Sequence, residues 1–342
     1  MKISCKEFEL ILKHPFSIAK FTRTSTPLML LKLESNGQIG YGEASMVPYM
    51  GESYASAQEF LNAVEWNRFS FPFNFEEIHA YLDDLKPGNP AIKAAIDIAL
   101  HDLTGKLLGK PLYEMIGSNP EKMPVTSYTV GIDTPEVIRE KLADAQNFKV
   151  IKVKLGRDND QEIIQTIRAV TDLPLYVDAN QGWSDRKKAI DLCYWLHDQG
   201  VLLIEQPMDK LDLDGNAWLT QRSPIPIIAD EAMQRIGDLA ALKGAYHGIN
   251  IKLMKTAGIY EAKQTIDKAR SLGMKILIGC MSETSIATLA GIALAPQCDW
   301  ADLDGPWLTV NNPFAQPILE NGKYVMPNTP GLGLSGMKED LF

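Results

Sequence analysis

Cysteine is scarce in this 342-residue chain, and its four copies (Cys5, Cys193, Cys280 and Cys298) are scattered. None forms a CxxC pair or zinc spacing, so a disulfide scaffold and a cysteine zinc site are excluded, and the thiols are expected to be reduced in a cytoplasm. No apolar run is long enough to span a bilayer, so no membrane association is expected. The opening Met1-Lys-Ile-Ser-Cys-Lys-Glu lacks the apolar centre of a signal peptide. Positive charge is also short: 34 Lys and Arg stand against 43 Asp and Glu. The formal net charge of −9 argues against nucleic acid as a partner. Low-complexity segments and long charge runs are missing. The histidines (His14, His79, His101, His197 and His247) show no ligand spacing and read as structural or surface groups.

What is present is the composition of a globular protein, 45% hydrophobic and 23% charged, long enough for two domains. Residues 1 to about 12 read as a strand broken by His14-Pro15. The polar stretch Ser17 to Pro27 follows. Leu28–Leu33 and Gly40–Ala44 then flank Asn36-Gly37, a strong hairpin signal. Amphipathic helices are expected near 54–65 and 75–85. A longer helix starts at Asn89 as N-cap with Pro90 behind it, carries an apolar stripe from Ile92 to Leu107, and ends at Gly109 and Pro111. The first third is therefore α+β.

From about residue 124 short apolar runs alternate with helix-length segments such as Asp185 to Gln199 and Gly258 to Leu272. The candidate strands are 125–130, 150–155, 173–178, 202–205, 225–230, 248–253, 275–279 and 300–304, their ends recurring every 22–28 residues. Eight such units predict an α/β fold with a (β/α)8-type barrel, one unit short at the ends. Beyond Pro306, strand-like pieces around Asn321-Gly322 predict a hairpin that packs back on the first domain or across the barrel mouth. The expected division is 1–120, 121–315 and 316–342.

The chain is organised around Asp178 to Glu231. Three buried-strand runs there end in carboxylates: Asp178, Glu205 and Asp230. Acids at three consecutive strand ends would crowd like charge onto one rim unless a hard divalent cation such as Mg²⁺ resolves it. Residues at i and i+2 share a strand face, so Lys152 and Lys154 point one way on strand two, and Asp302 and Asp304 on strand eight. Lys252 stands in the apolar run of strand six. Strands two and six face each other across a ring of eight. A substrate carboxylate at the metal would then place its α-carbon between Lys154 and Lys252. One amine could remove the α-proton and the other return one to the opposite face, with the metal stabilising the enediolate between. Lys152 and the cation are expected to lower the pKa of the base lysine.

These residues carry a resemblance. Lys152-x-Lys154, Asp178-Ala-Asn180, Glu205-Gln-Pro, Asp230-Glu231 and Lys252-Leu-Met-Lys resemble the enolase superfamily, in particular its muconate-lactonising-enzyme subgroup, over essentially the whole chain. That superfamily's lysine base with Mg²⁺ is a known pattern. Ala95 to Asp102 is similar to the subgroup's interdomain helix. The resemblance implies one Mg²⁺ on Asp178, Glu205 and Asp230, and Lys154 and Lys252 as the acid/base pair. Lys152 would assist beside the carboxylate. The first domain would cap a modified TIM barrel, completed by the C-terminal tail, and a cytoplasmic homo-oligomer is expected. Asp302-Leu-Asp304-Gly-Pro is similar to the dipeptide epimerases, where the two acids bind the dipeptide's α-ammonium. Thr129, Met281 and Ser282 also resemble that group. Ala257 departs from it, standing where the family usually has a second glycine.

Members acting on Ala-Glu carry an arginine in the first capping loop. Counting from Pro15-Phe16 puts Phe21 there, beside Lys20 and Arg23, so an uncharged, apolar second residue is expected. Asn180 is expected to orient the metal ligands rather than bind metal. Glu231 reads equally as an orienting group or a helix N-terminal acid. Lys255, one helical turn past Lys252, is expected to be solvated. The expected activity is Mg²⁺-dependent epimerisation of an L-Ala-L-X dipeptide at its C-terminal residue. The alternatives are L-Ala-D/L-Glu epimerisation, or a lyase such as o-succinylbenzoate synthase or a muconate cycloisomerase. A lyase has no use for two acids at strand eight. A barrel that only binds ligand leaves the opposed lysines unexplained, and a Schiff-base aldolase leaves the three acids idle.

Overall fold

The structure, a computed structural model, describes residues 1–17, 22–338 and 341–342. The first domain opens with three antiparallel strands, β1 (Lys2–Ser17), β2 (Thr22–Ser35) and β3 (Gln38–Ser45), with Asn36-Gly37 as the predicted hairpin turn. His14-Pro15 does not end β1. The pairing register shifts between Ile11 and Phe16, and the strand resumes against Arg23 and Thr22. An edge bulge accommodates a proline that a central strand could not.

Helices α1 (Tyr54–Ala63) and α2 (Phe75–Leu85) match their predicted positions, and α3 (Pro90–Leu108) follows. Asn89 does not cap α3 with its side chain; its backbone is left-handed, φ +53°. The Glu52 carboxylate serves instead, accepting from Ala91 N and Ile92 N at 2.8 and 3.1 Å. That bond pins the loop before α1 to the start of α3. Nor is α3 one-sided: it is buried from Ala91 to Gly105. It lies against β3, where a side chain at Gly42 would strike the Ala95 carbonyl. Its polar residues are paired. Asp102 accepts from Tyr41 N and Leu332 N, and Asp97 sits between His79 and His101.

Eight parallel strands follow: β4 (Ser127–Val130), β5 (Val150–Lys154), β6 (Leu175–Asp178), β7 (Val201–Glu205), β8 (Ile227–Ala229), β9 (Gly248–Ile251), β10 (Lys275–Gly279) and β11 (Trp300–Asp302). They are ordered β4 to β11 without crossover, and a bridge from Thr126 to Ala301 brings the ends together. This is the expected (β/α)8-type barrel, with helices between most strands. The link from β8 to β9 carries only a 3-10 turn (Ile236–Asp238) and a single turn of α-helix (Leu239–Leu242), and a single 3-10 turn follows β11. Val150, Tyr176, Leu203, Ile228 and Leu277 plug the interior. The tail hairpin, β12 (Leu319–Glu320) with β13 (Lys323–Tyr324), bonds to the barrel through Gly322 O and Tyr324 OH. Beyond it, Gly331 meets Lys110 and Leu112 of the first domain.

The domains are joined at the barrel mouth. Ser45 Oγ donates to Ser282 O at 2.7 Å, and the buried Glu43 carboxylate accepts from Thr284 N and its hydroxyl. Asp97 accepts from Ile259 N, and Gly258 leaves no room there for a side chain. Burial, then the Glu283 charge, push the Glu43 carboxyl up to about 8, and burial pushes Glu283 up to about 7. An acid whose pKa rises on folding contributes stability below its unfolded pKa, and that stability is lost as pH rises through the folded value. Glu43→Gln should therefore flatten the loss of stability between about pH 5 and pH 8, by roughly 3 kcal/mol at the upper end. Urea unfolding at both pH values measures this; an unchanged pH slope contradicts it.

Candidate active site

The three predicted acids meet. Lys154 pairs in register with Asp178, and Asp178 with Glu205, so their side chains stand at one level inside the barrel. One carboxylate oxygen each of Asp178, Glu205 and Asp230 lies within 4.8 Å of the others, all buried. Three hard oxygen donors at that spacing fit a divalent cation such as Mg²⁺. The backbone bends to present them: Asn180, Gln181 and Gln206 adopt φ of +43°, +64° and +35°. Left-handed non-glycine residues cluster at functional sites. Gln206 Oε1 accepts from Asp230 N and Ala232 N, Asn180 N donates to Asp178, and Asn250 Nδ2 holds Glu205 at 2.7 Å.

Four lysines face these acids. Lys154 Nζ is 2.6 Å from Asp178, Lys252 Nζ 2.8 Å from Asp230, and Lys152 Nζ 2.6 Å from Glu205 and 2.7 Å from Asp302. β5 and β9 are four strands apart in the ring of eight, so Lys154 and Lys252 approach from opposite sides. Burial pulls Lys252 down, but Asp230 and Glu205 outweigh it and hold the ammonium well above its ordinary range. Lys152 rises likewise against Asp302 and Glu205. The Lys152 charge lowers Lys252, as the sequence reading expects, and the carboxylates outweigh it.

Lys255 corrects the sequence reading outright. It is 2% exposed and donates to the Asp230 carbonyl, to Asp230 Oδ1 and to the Asn250 carbonyl. The segment after β9 is a turn, not a helix, and folds this amine back under Asp230. Glu231 opens no helix; it lines the cavity, accepts from Asn180 Nδ2, and leaves Oε2 without a partner among the described residues.

The cavity above the acids is about 280 Å³. Of the residues named from sequence, Thr129, Lys152, Lys154, Lys252, Met281, Ser282, Asp302 and Asp304 line it. Phe16, Arg23, Tyr49, Gln181, Lys210, Cys280 and Leu308 line it too, and were not singled out for it. Phe21 and Lys20 lie outside the described residues. Arg23 is inside: Nη2 donates to Ser282 Oγ at 2.8 Å, and the guanidinium rests over the Phe16 ring. Its Nε and Nη1 are buried without a partner among the described residues. Tyr49 OH reaches the Met281 sulfur at 3.2 Å. Tyr49 had no sequence signal beyond loop composition around it.

Residues 2–117 match the mandelate racemase/muconate lactonizing enzyme N-terminal domain, and residues 136–340 match the enolase C-terminal domain-like family. The chain belongs to this family of enolase-superfamily barrels. Within it, the chain falls among the dipeptide epimerases, which are isomerases. An L-Ala-D/L-Glu epimerase from Bacteroides thetaiotaomicron is 52% identical over 335 residues, 98% of this chain and 88% of that protein. The substrate-liganded L-Ala-D/L-Glu epimerase from Bacillus subtilis superposes with a TM-score of 0.90 at 30% identity, covering 99% of both chains. A dipeptide epimerase from Enterococcus faecalis, complexed with Mg and L-Leu-L-Tyr, also gives 0.90, at 33% identity over 98% of this chain and 99% of that one. Among the described residues, no helix is long and apolar enough to cross a membrane.

Groups that orient a metal ligand typically change metal affinity 10–100-fold when lost. Lys255→Met should therefore weaken binding of a divalent cation by roughly that factor. Titration with Mn²⁺ reads this directly, and unchanged affinity would show that Lys255 does not hold Asp230 in place.

Proposed function

We propose that this protein is a Mg²⁺-dependent epimerase of dipeptides whose second residue is acidic, acting on L-Ala-L-Glu at the α-carbon of glutamate. The observation that carries the acidic side chain is Arg23. A buried guanidinium with two donors lacking partners is costly unless an acceptor arrives, and a carboxylate meets it best. The uncharged residue expected from Phe21 gives way on this ground: the cation reaching the cavity comes from two positions further on. The 52% identical relative acts, by its name, on L-Ala-D/L-Glu, which supports the same reading.

In this reading Asp178, Glu205 and Asp230 hold the Mg²⁺, which when bound would stabilise negative charge developing on the substrate's α-carboxylate. Lys154 and Lys252 stand on opposite sides of the α-carbon. One takes the α-proton and the other returns one to the far face, inverting the centre; roles exchange in the reverse direction. The Asp230 and Glu205 carboxylates that hold Lys252 charged would be drawn to a cation, and loss of that pairing moves Lys252 toward the neutral form a base needs. Lys152 adds positive charge beside the substrate carboxylate. Met281, Ser282 and Thr129 line the space around the dipeptide, and Asn180 and Glu231 orient the ligands.

Arg23→Leu should raise KM for L-Ala-L-Glu roughly 10- to 100-fold, the usual worth of a charged hydrogen bond. L-Ala-L-X dipeptides with uncharged side chains should lose far less. Equal losses would remove the carboxylate role. Lys154→Ala and Lys252→Ala should each abolish epimerisation in both directions. Each should still exchange the α-proton of the one epimer its surviving lysine faces. Full epimerisation by either variant would contradict the two-base assignment.

A further inference from the structure

Phe16 reaches the cavity from the cap, and its ring meets two cations that belong to different domains. The Arg23 guanidinium carbon lies 5.5 Å from the ring centroid, and Lys154 Nζ lies 5.7 Å from it. Both distances are within the reach of a cation–π attraction. The first contact is built into the cap. Past the register shift in β1, Phe16 stands directly opposite Arg23 in the β1–β2 ladder. Residues so placed share a face of the sheet. The second contact crosses from cap to barrel. The chain on either side of the ring is fastened to the barrel: Pro15 O accepts from Lys141 Nζ at 3.5 Å, and Ser17 O accepts from Ile132 N at 3.1 Å. The ring is therefore held beside Lys154 by the barrel as well as by its own strand. Lys154 is 7% exposed, and Asp178 tethers its amine at 2.6 Å.

We propose that Phe16 is a positioning residue that couples recognition to proton transfer: one ring holds the Arg23 guanidinium toward the substrate's side chain and the Lys154 amine toward its α-carbon. The Arg23 half rests on the L-Ala-L-Glu reading above, and the Lys154 half on the two-base reading. Lys252 stands on β9, across the barrel from β5, so the ring bears directly on one of the two bases. A cap seated on the barrel thus does two things through one side chain. It presents a cation to the second residue, and it fixes the amine that works on that residue's α-carbon. A leucine at this position would fill the space without a π face, whereas a tyrosine would keep the face.

The test separates the two contacts. In a Lys252→Ala background only Lys154 can exchange the α-proton, and in a Lys154→Ala background only Lys252 can. The first comparison uses L-Ala-L-Met, which has no side-chain carboxylate for Arg23. Phe16→Leu should lower its saturated rate of exchange in D₂O roughly 3- to 30-fold in the Lys252→Ala background, the worth of one cation–π contact, and far less in the Lys154→Ala background. Phe16→Tyr should restore the rate. With L-Ala-L-Glu and both lysines present, Phe16→Leu should raise KM by roughly the same factor, and should add nothing further when Arg23 is already leucine. Equal loss in both lysine backgrounds, or a Phe16→Tyr variant as slow as Phe16→Leu, overturns the hold on Lys154. A KM that Arg23→Leu raises and Phe16→Leu does not, or increases that multiply in the double variant, overturn the hold on Arg23. If Arg23→Leu itself leaves that KM unmoved, the glutamate reading fails instead, and the two lysine backgrounds still decide the role of Phe16. If neither single-lysine variant exchanges any dipeptide, the two-base reading fails and the coupling with it.

Discussion

The structure turns on one electrostatic problem: among the described residues, six acids share the barrel mouth with four buried lysines. Asp178, Glu205, Asp230, Glu231, Asp302 and Asp304 line or floor it, against Lys152, Lys154, Lys252 and Lys255. Like charges so placed raise one another: burial and the Asp178 charge push Glu205 up, and burial and Asp302 push Asp304 up to about 7. The excess of acid over lysine is what a divalent cation fits. The remaining mismatches, Arg23 on one side and the acid pair Asp302 and Asp304 on the other, suit a ligand with a carboxylate and an ammonium.

The cap bears on the same problem. It adds to the cavity the Arg23 guanidinium, which the barrel lacks, and it closes one side with Phe16 and Tyr49. Each is anchored. Arg23 is tied to Ser282, Glu52 holds the loop of Tyr49 onto α3, and Glu43 and Ser45 grip the turn from Ser282 to Thr284. In the proposed reading the chemistry is set in the barrel strands, and the choice of second residue by Arg23 at the start of β2 in the other domain.

How far the sequence reveals this follows from where each residue sits. Asp178, Glu205 and Asp230 are legible because each ends a run of Val, Ile and Leu, and the closure of a barrel then places Lys154 opposite Lys252. Arg23 is not, because the polar sequence before it has no periodicity to fix a register, and a count along it lands on Phe21. Lys255 is misread because a spacing of three suggests a helix, whereas the chain turns back under Asp230. Asn89 has every sequence mark of a cap, but Glu52, distant in sequence, takes the role through tertiary packing.

The central claim is that a cation-held carboxylate and two opposed lysines make the α-proton of a dipeptide exchangeable. The most direct test is to incubate a pool of L-Ala-L-X dipeptides with the protein and Mg²⁺ in D₂O and follow the products by mass spectrometry. The account predicts a gain of about one dalton on L-Ala-L-Glu ahead of the uncharged dipeptides, abolished by EDTA. A pool in which no dipeptide gains mass, or a gain that persists with the metal chelated, would contradict it.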